Sequence, residues 1–157
     1  MKFSSKEDVE VPIEQTFEML NDFEGFERAV LRRGGEVRRK GAIDPPTIGM
    51  GWLVGFRYRG RQREVDVTLS DYERPNVLAF SFEGSGIRGE FKLELVALSR
   101  RRTRLGLWLE IKPETLSARL LIQSLKLGKS TLDKRFKLRV ADYAKDLEDR
   151  HARTARA

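Results

Sequence analysis

The sequence predicts an α+β domain in which a curved antiparallel sheet is closed by a long C-terminal helix. Three observations predict it. The middle of the chain is a succession of segments whose apolar and polar residues alternate, separated by turns carrying glycine or proline. Two short segments with helical spacing stand between the first strand and that succession. After residue 114 an apolar stripe recurs at spacings of three and four, which gives the open face of the sheet a cover.

Residues 2–11 read as a strand that ends at Pro12, a residue suited to starting a helix because its missing N–H is not needed there. Ile13, Phe17 and Leu20 follow at helical spacing. Asp22 of the Asn21-Asp22 break is placed to cap a second short helix carrying Phe23, Phe26 and Val30, and Gly34-Gly35 ends that unit. Residues 51–58 and 61–72 flank Gly60 as a hairpin. In the second of these segments Val65, Val67 and Leu69 alternate with Glu64, Asp66 and Thr68. After the turn at 73–76, Leu78, Phe80 and Phe82 share a face. Beyond Gly84-Ser85-Gly86, Phe91, Leu93 and Leu95 share another, and Leu105, Leu107, Leu109 and Ile111 make the last inward row.

The terminal stripe consists of Leu121, Leu125, Leu132, Phe136, Tyr143 and Leu147. A single straight helix over 114–150 would be ~55 Å long, whereas an eleven-residue strand spans only ~35 Å. A break near Gly128-Lys129-Ser130 is therefore expected. Residues 151–157 read as a flexible basic tail beyond one domain of 1–150.

Composition excludes several classes. No apolar run approaches the ~20 residues that span a bilayer, and the first residues lack the apolar core of a secretory signal. The chain has no cysteine, which removes disulfides, thiolate metal sites and cysteine nucleophiles and suits a cytoplasmic setting. The net charge is +7, from 31 basic and 24 acidic residues. Such a balance permits contact with an anionic surface. The basic residues gather at Arg32-Arg33, Arg38–Lys40, Arg57–Arg63 and Arg100–Arg104. The last two are hairpin tips without a stacking platform, so nucleic acid is not an expected partner, while an anionic membrane or an acidic protein is a transient one.

Local stretches resemble a known superfamily. "DVEVPIEQTFEMLNDFEGFERA" is similar to the opening of SRPBCC proteins, "IGMGWLVGF" to their glycine-aromatic strand entry, and "ERPNVLAFSF" to their turn into a central strand. "TRLGLWLEIKP" before the terminal helix is similar as well. The superfamily includes polyketide cyclase/dehydrase-like proteins, START lipid-transfer domains and pollen-allergen-like carriers. The resemblance covers residues 1–150. It implies the helix-grip fold, with about six to seven strands around the C-terminal helix, and a cavity for a small hydrophobic ligand. Trp52, Phe56, Phe80, Phe82, Phe91, Leu107 and Leu109 would line it from the sheet and Leu121 and Leu125 from the helix. Phe17 and Phe26 would wall one end. The same aromatic rows also fit a filled core.

Groups able to do chemistry are few. His151, the single histidine, lies in the basic tail, so a histidine triad or histidine metal site is not expected. Glu64 and Asp66 share the face opposite Val65 and Val67 and read as solvent-facing. A bulge that reversed their parity would make them an acid–base pair inside, and Arg57 and Arg63 share that uncertainty of face. No spacing suits a metal and no cofactor is implied. Trp108 is out of phase with Leu107 and Leu109 and belongs on the outer face or at an edge. Gly84, Gly86 and Gly89 serve turns and a bend in the sheet rather than a phosphate loop, because no helix follows them. Three functions remain. They are a carrier of a lipid, polyketide or isoprenoid-like molecule, a polyketide cyclase-like enzyme working without metal or cofactor, and a basic membrane- or protein-interaction module.

Overall fold

The computed structural model describes residues 1–156. The elements run β1 (Lys2–Val9), α1 (Ile13–Leu20), α2 (Phe23–Arg32), β2 (Glu36–Lys40), β3 (Gly51–Tyr58), β4 (Arg61–Glu73), β5 (Val77–Gly84), β6 (Ile87–Ser99), β7 (Arg102–Pro113), α3 (Leu116–Lys126) and α4 (Lys129–Arg156). The seven strands form one antiparallel sheet in the order β1-β7-β6-β5-β4-β3-β2. The helix-grip fold class expected from the sequence is the one observed.

The seventh strand, β2, has no counterpart in the alternation pattern. Its sequence, EVRRK, carries one apolar residue, so period two has nothing to register. Charge suits it to an edge, where unpaired backbone groups need protection from further pairing. The helix break falls at Leu127-Gly128: Gly128 N–H closes on Leu125 O at 3.0 Å, and Gly128 O accepts from Leu132 N–H at 3.0 Å to begin α4. α4 then runs on through His151 to Arg156, helical where the sequence suggests a tail. Ala152 and Ala155 favour helix there, and basic residues suit the negative end of the helix dipole.

One face of the sheet is largely apolar. Leu69, Leu78, Leu95 and Leu105 are buried on it, and Phe17, Phe23, Val140 and Leu147 pack onto them from the helices. α4 lies along β1, with Phe136 stacked 5.6 Å from Phe3 and Ala144 against Val9 and Val11. The buried Thr103 hydroxyl donates to Val11 O at 2.7 Å, tying the exit of β1 to β7.

A register shift between Leu69 and Asp71 settles the parity of β4. The bulge comes after Glu64 and Asp66, so both stay on the outer face: Glu64 is exposed and Asp66 pairs with Lys40. Past the bulge the phase flips and Tyr72 turns inward, edge-on to Phe17 at 5.5 Å. Trp108 lies on the outer face, its ring over Gly106.

Candidate functional site

The Asn21-Asp22 break positions the roof of the site. Asp22 Oδ1 accepts from Gly25 N–H at 3.0 Å and caps α2, as expected. A Cβ on Gly25 would lie 2.4 Å from Asp22 Oδ2, so a side chain there would force the capping carboxylate to shift. Asn21 Nδ2 donates to Tyr72 Oη at 3.0 Å, joining the end of α1 to the sheet.

α2 is then held over the sheet by a polar clamp. Register places Arg39 of β2 beside Trp52 of β3 on the inner face. Arg39 Nε and Nη2 donate to Glu27 at 2.7 and 2.5 Å, and Trp52 Nε1 donates to Glu27 Oε2 at 2.8 Å. The Arg39 guanidinium holds the Glu27 carboxyl below its usual pKa against an opposing effect of burial, with help from the Trp52 bond. Phe26 and Phe23 of α2 sit 4.9 and 5.3 Å from the Trp52 ring.

Between α2 and α4 a cavity of about 550 Å³ opens over β4, β5 and β6. Its floor is Trp52, Val67, Phe80, Phe82, Phe91 and Leu93, and Phe26 walls one side. Phe82 lies over Gly89, directly opposite it in the register. A Cβ there would come within 2.4 Å of the ring, so the glycine makes room for the aromatic floor.

The end of the cavity against α4 is polar. Tyr143, Asp146 and Arg150, three and seven residues apart on one face of the helix, line it opposite Asp22 and Arg28 of α2. Desolvation pushes the Tyr143 phenol above its ordinary pKa, with the Arg150 charge opposing. The phenol is therefore a hydrogen-bond donor at neutral pH. Arg150 Nε stands 3.1 Å from Asp146 Oδ2 without hydrogen-bonding alignment, which leaves a buried N–H lacking an acceptor.

A second cavity, about 460 Å³, lies between α3 and the β3–β4 hairpin and shares no lining residue with the first. Phe56, Leu121 and Leu125 line this one, with Tyr58, Arg59 and Arg63. The eleven residues expected around one cavity are thus distributed. Phe26, Trp52, Phe80, Phe82 and Phe91 meet in the first cavity, and Phe56, Leu121 and Leu125 in the second. Phe17 and Leu107 are packed into the core and line neither, and Leu109, across from Phe91, also borders neither. Arg63 reaches the second cavity, whereas Arg57 is exposed outside both. Tyr143 is legible in the sequence only as part of an apolar stripe. The polar pair below it is at helical spacing, but nothing local says that this face meets aromatics from β3, β5 and β6. A depression of about 560 Å³ on the outer face is lined by charged residues such as Asp66, Glu83, Arg88 and Lys112, and only Phe82 borders both it and the first cavity. Among the described residues no group of three or more His, Asp or Glu is placed to hold a metal.

No family model matches the sequence, and no curated protein matches it either. Solved structures do match. The ZhuI aromatase/cyclase from Streptomyces sp. R1128 is similar with a TM-score of 0.66 at 13% identity, over 96% of this chain and 94% of that one. The protein TTHA0849 from Thermus thermophilus follows at 0.62 and 17%, over 96% of each chain. The chain shares its helix-grip fold with these structures. A START superfamily protein from Mycobacterium smegmatis, at a TM-score of 0.52 and 14% identity over 85% of this chain and 95% of that chain, shares it. At these identities the likeness concerns the architecture alone, and the chemistry of the cavity has to be read from its own residues.

Proposed function

We propose that this chain is a cytoplasmic carrier that binds a small hydrophobic molecule, of lipid, polyketide or isoprenoid type, between α2 and α4. The observation that carries this is the cavity of about 550 Å³ with an aromatic floor of Trp52, Phe80, Phe82 and Phe91 and a single polar end. The volume suits one drug-sized ligand, and apolar walls with a few convergent polar groups are the usual composition of such sites. The Tyr143 hydroxyl and the unsatisfied Arg150 N–H favour a ligand whose apolar body ends in a carbonyl or carboxylate oxygen. Native mass spectrometry of the purified chain tests this: a retained apolar adduct is expected. No adduct, together with no thermal shift across a panel of fatty acids, isoprenoids and aromatic polyketides, would sink it.

A second reading, a polyketide cyclase-like enzyme, is favoured by the same polar end. A protonated Tyr143 phenol donating to a ligand carbonyl would polarise it, and Asp22 or Asp146 would accept the proton released in an aldol-type closure. Under this reading Tyr143→Phe binds a poly-β-ketone analogue but loses turnover. Turnover that survives in the variant would reject that role for Tyr143.

A further inference from the structure

The end of the molecule built by α3 and the β3–β4 hairpin is apolar and cationic at once. Leu116, Leu120 and Leu127 are 71%, 58% and 92% exposed. Their spacing puts them on one stripe of α3 and its closing turn. The packed side of the helix is another one: Ala118 and Ile122 are buried, and Leu121 and Leu125 face the second cavity. Arg119 and Lys126 flank the leucine stripe, and no acidic residue occurs from Thr115 to Leu132. Across the second cavity the hairpin tip reads FRYRGRQR over 56–63, with four arginines and no acid. Among the described residues none of Arg57, Arg59, Arg61, Arg63, Arg119 and Lys126 has a carboxylate within 4.0 Å. Elsewhere in the sheet Arg39, Arg88 and Arg104 are paired, whereas Lys6 and Arg38 are not among the described residues.

We propose that this end docks on an anionic phospholipid bilayer. The leucines enter the boundary between headgroups and acyl chains, while the flanking Arg119 and Lys126 and the hairpin arginines meet lipid phosphates. Large apolar side chains exposed on a protruding helix, with long cationic chains beside them, suit a fluid surface that takes up apolar groups and carries negative charge everywhere. No described helix is long and apolar enough to cross a membrane, so the contact is peripheral. The reading of the α2–α4 cavity is not needed for this, and either can fail alone.

Co-sedimentation of the full chain with vesicles tests it. Phosphatidylglycerol-containing vesicles should bind at least roughly tenfold more tightly than pure phosphatidylcholine, with the difference shrinking as salt is added. L116S/L120S/L127S, which leaves the charge unchanged, should weaken binding by roughly tenfold. R57E/R59E should weaken it comparably. R100E/R101E carries the same charge change on the β6–β7 turn at the opposite end of the sheet and should retain most of the binding. Circular dichroism checks that each variant folds. Equal binding to both vesicle types would overturn the proposal, as would R100E/R101E losing as much as R57E/R59E, since net charge alone would then explain it. A leucine variant that binds vesicles normally but loses a concentration-dependent self-association would instead make the stripe a contact between copies of this chain, and the proposal would fall.

Discussion

Trp52 Nε1 donates to Glu27 Oε2 at 2.8 Å, and that same oxygen accepts from Arg39 Nε at 2.7 Å. One carboxylate thus satisfies the indole of a buried floor residue and ties α2 to the edge strand β2. Trp52 is 1% exposed, so without Glu27 its N–H would lose its side-chain partner at a largely buried position. Glu27→Leu is expected to lower unfolding stability by about 2 kcal/mol, measured by urea denaturation at neutral pH. The acid branch carries a second signature. Because the folded pKa of Glu27 is depressed, its contribution is present above the ordinary carboxyl value of 4.5 and lost as pH falls through the lower folded value. Glu27→Gln should flatten that part of the stability–pH curve.

Phe26 is 39% exposed yet stands 4.9 Å from Trp52 at the wall of the cavity. Phe26→Ala should therefore change stability by less than about 1 kcal/mol while weakening an apolar ligand by roughly tenfold. Quenching of Trp52 fluorescence during titration reports the second effect, and equal affinity in the variant would place the ligand elsewhere.

Gly89 has Phe82 over its α-carbon and Glu110 O beside it, and an added Cβ would lie 2.4 and 2.1 Å from them. Gly89→Ala should destabilise the chain by about 1–3 kcal/mol and tilt the Phe82 ring into the cavity. Calorimetry and ligand titration together detect both changes.

Tyr143 offers a pH test. Its phenol titrates above the ordinary 10.0 because the groove desolvates the charged form. Its stabilising contribution is present below that ordinary value and is lost as pH rises through the raised folded one. Ultraviolet titration of phenolate absorbance should show a late component that Tyr143→Phe removes. Saturation with a bound carboxylate ligand should move it later still, since a second negative charge beside the phenol opposes its ionisation.

Much of the fold was legible because it is written in local periodicity. Val65, Val67 and Leu69 announce the inner face of β4, and Asp22 announces the start of α2. Glycine at 128 announces the break that a helix longer than the sheet must have. β2 was not legible because a charged edge strand with one apolar residue carries no period. The polar end of the site was only half legible: Tyr143 was visible as an apolar-stripe residue, but its partners are named by distance in space.

By itself the sequence determined the consecutive hairpins of the meander and the helix that covers them, since alternation, caps and turns act between near neighbours. It also placed Trp52, Phe80, Phe82 and Phe91 on the inward face, though not Tyr72, which the bulge after Leu69 turns in. Only the tertiary structure decided that these inward residues part into two cavities, with Trp52 and Phe82 in one and Phe56 and Leu125 in the other. Only it decided that Glu27, Arg39 and Trp52 make a single clamp and that Tyr143 stands over the aromatic floor. The physical reason is the origin of these groups: they come from elements far apart along the chain. Their meeting depends on sheet curvature and on the bulge after Leu69, neither of which a local pattern measures.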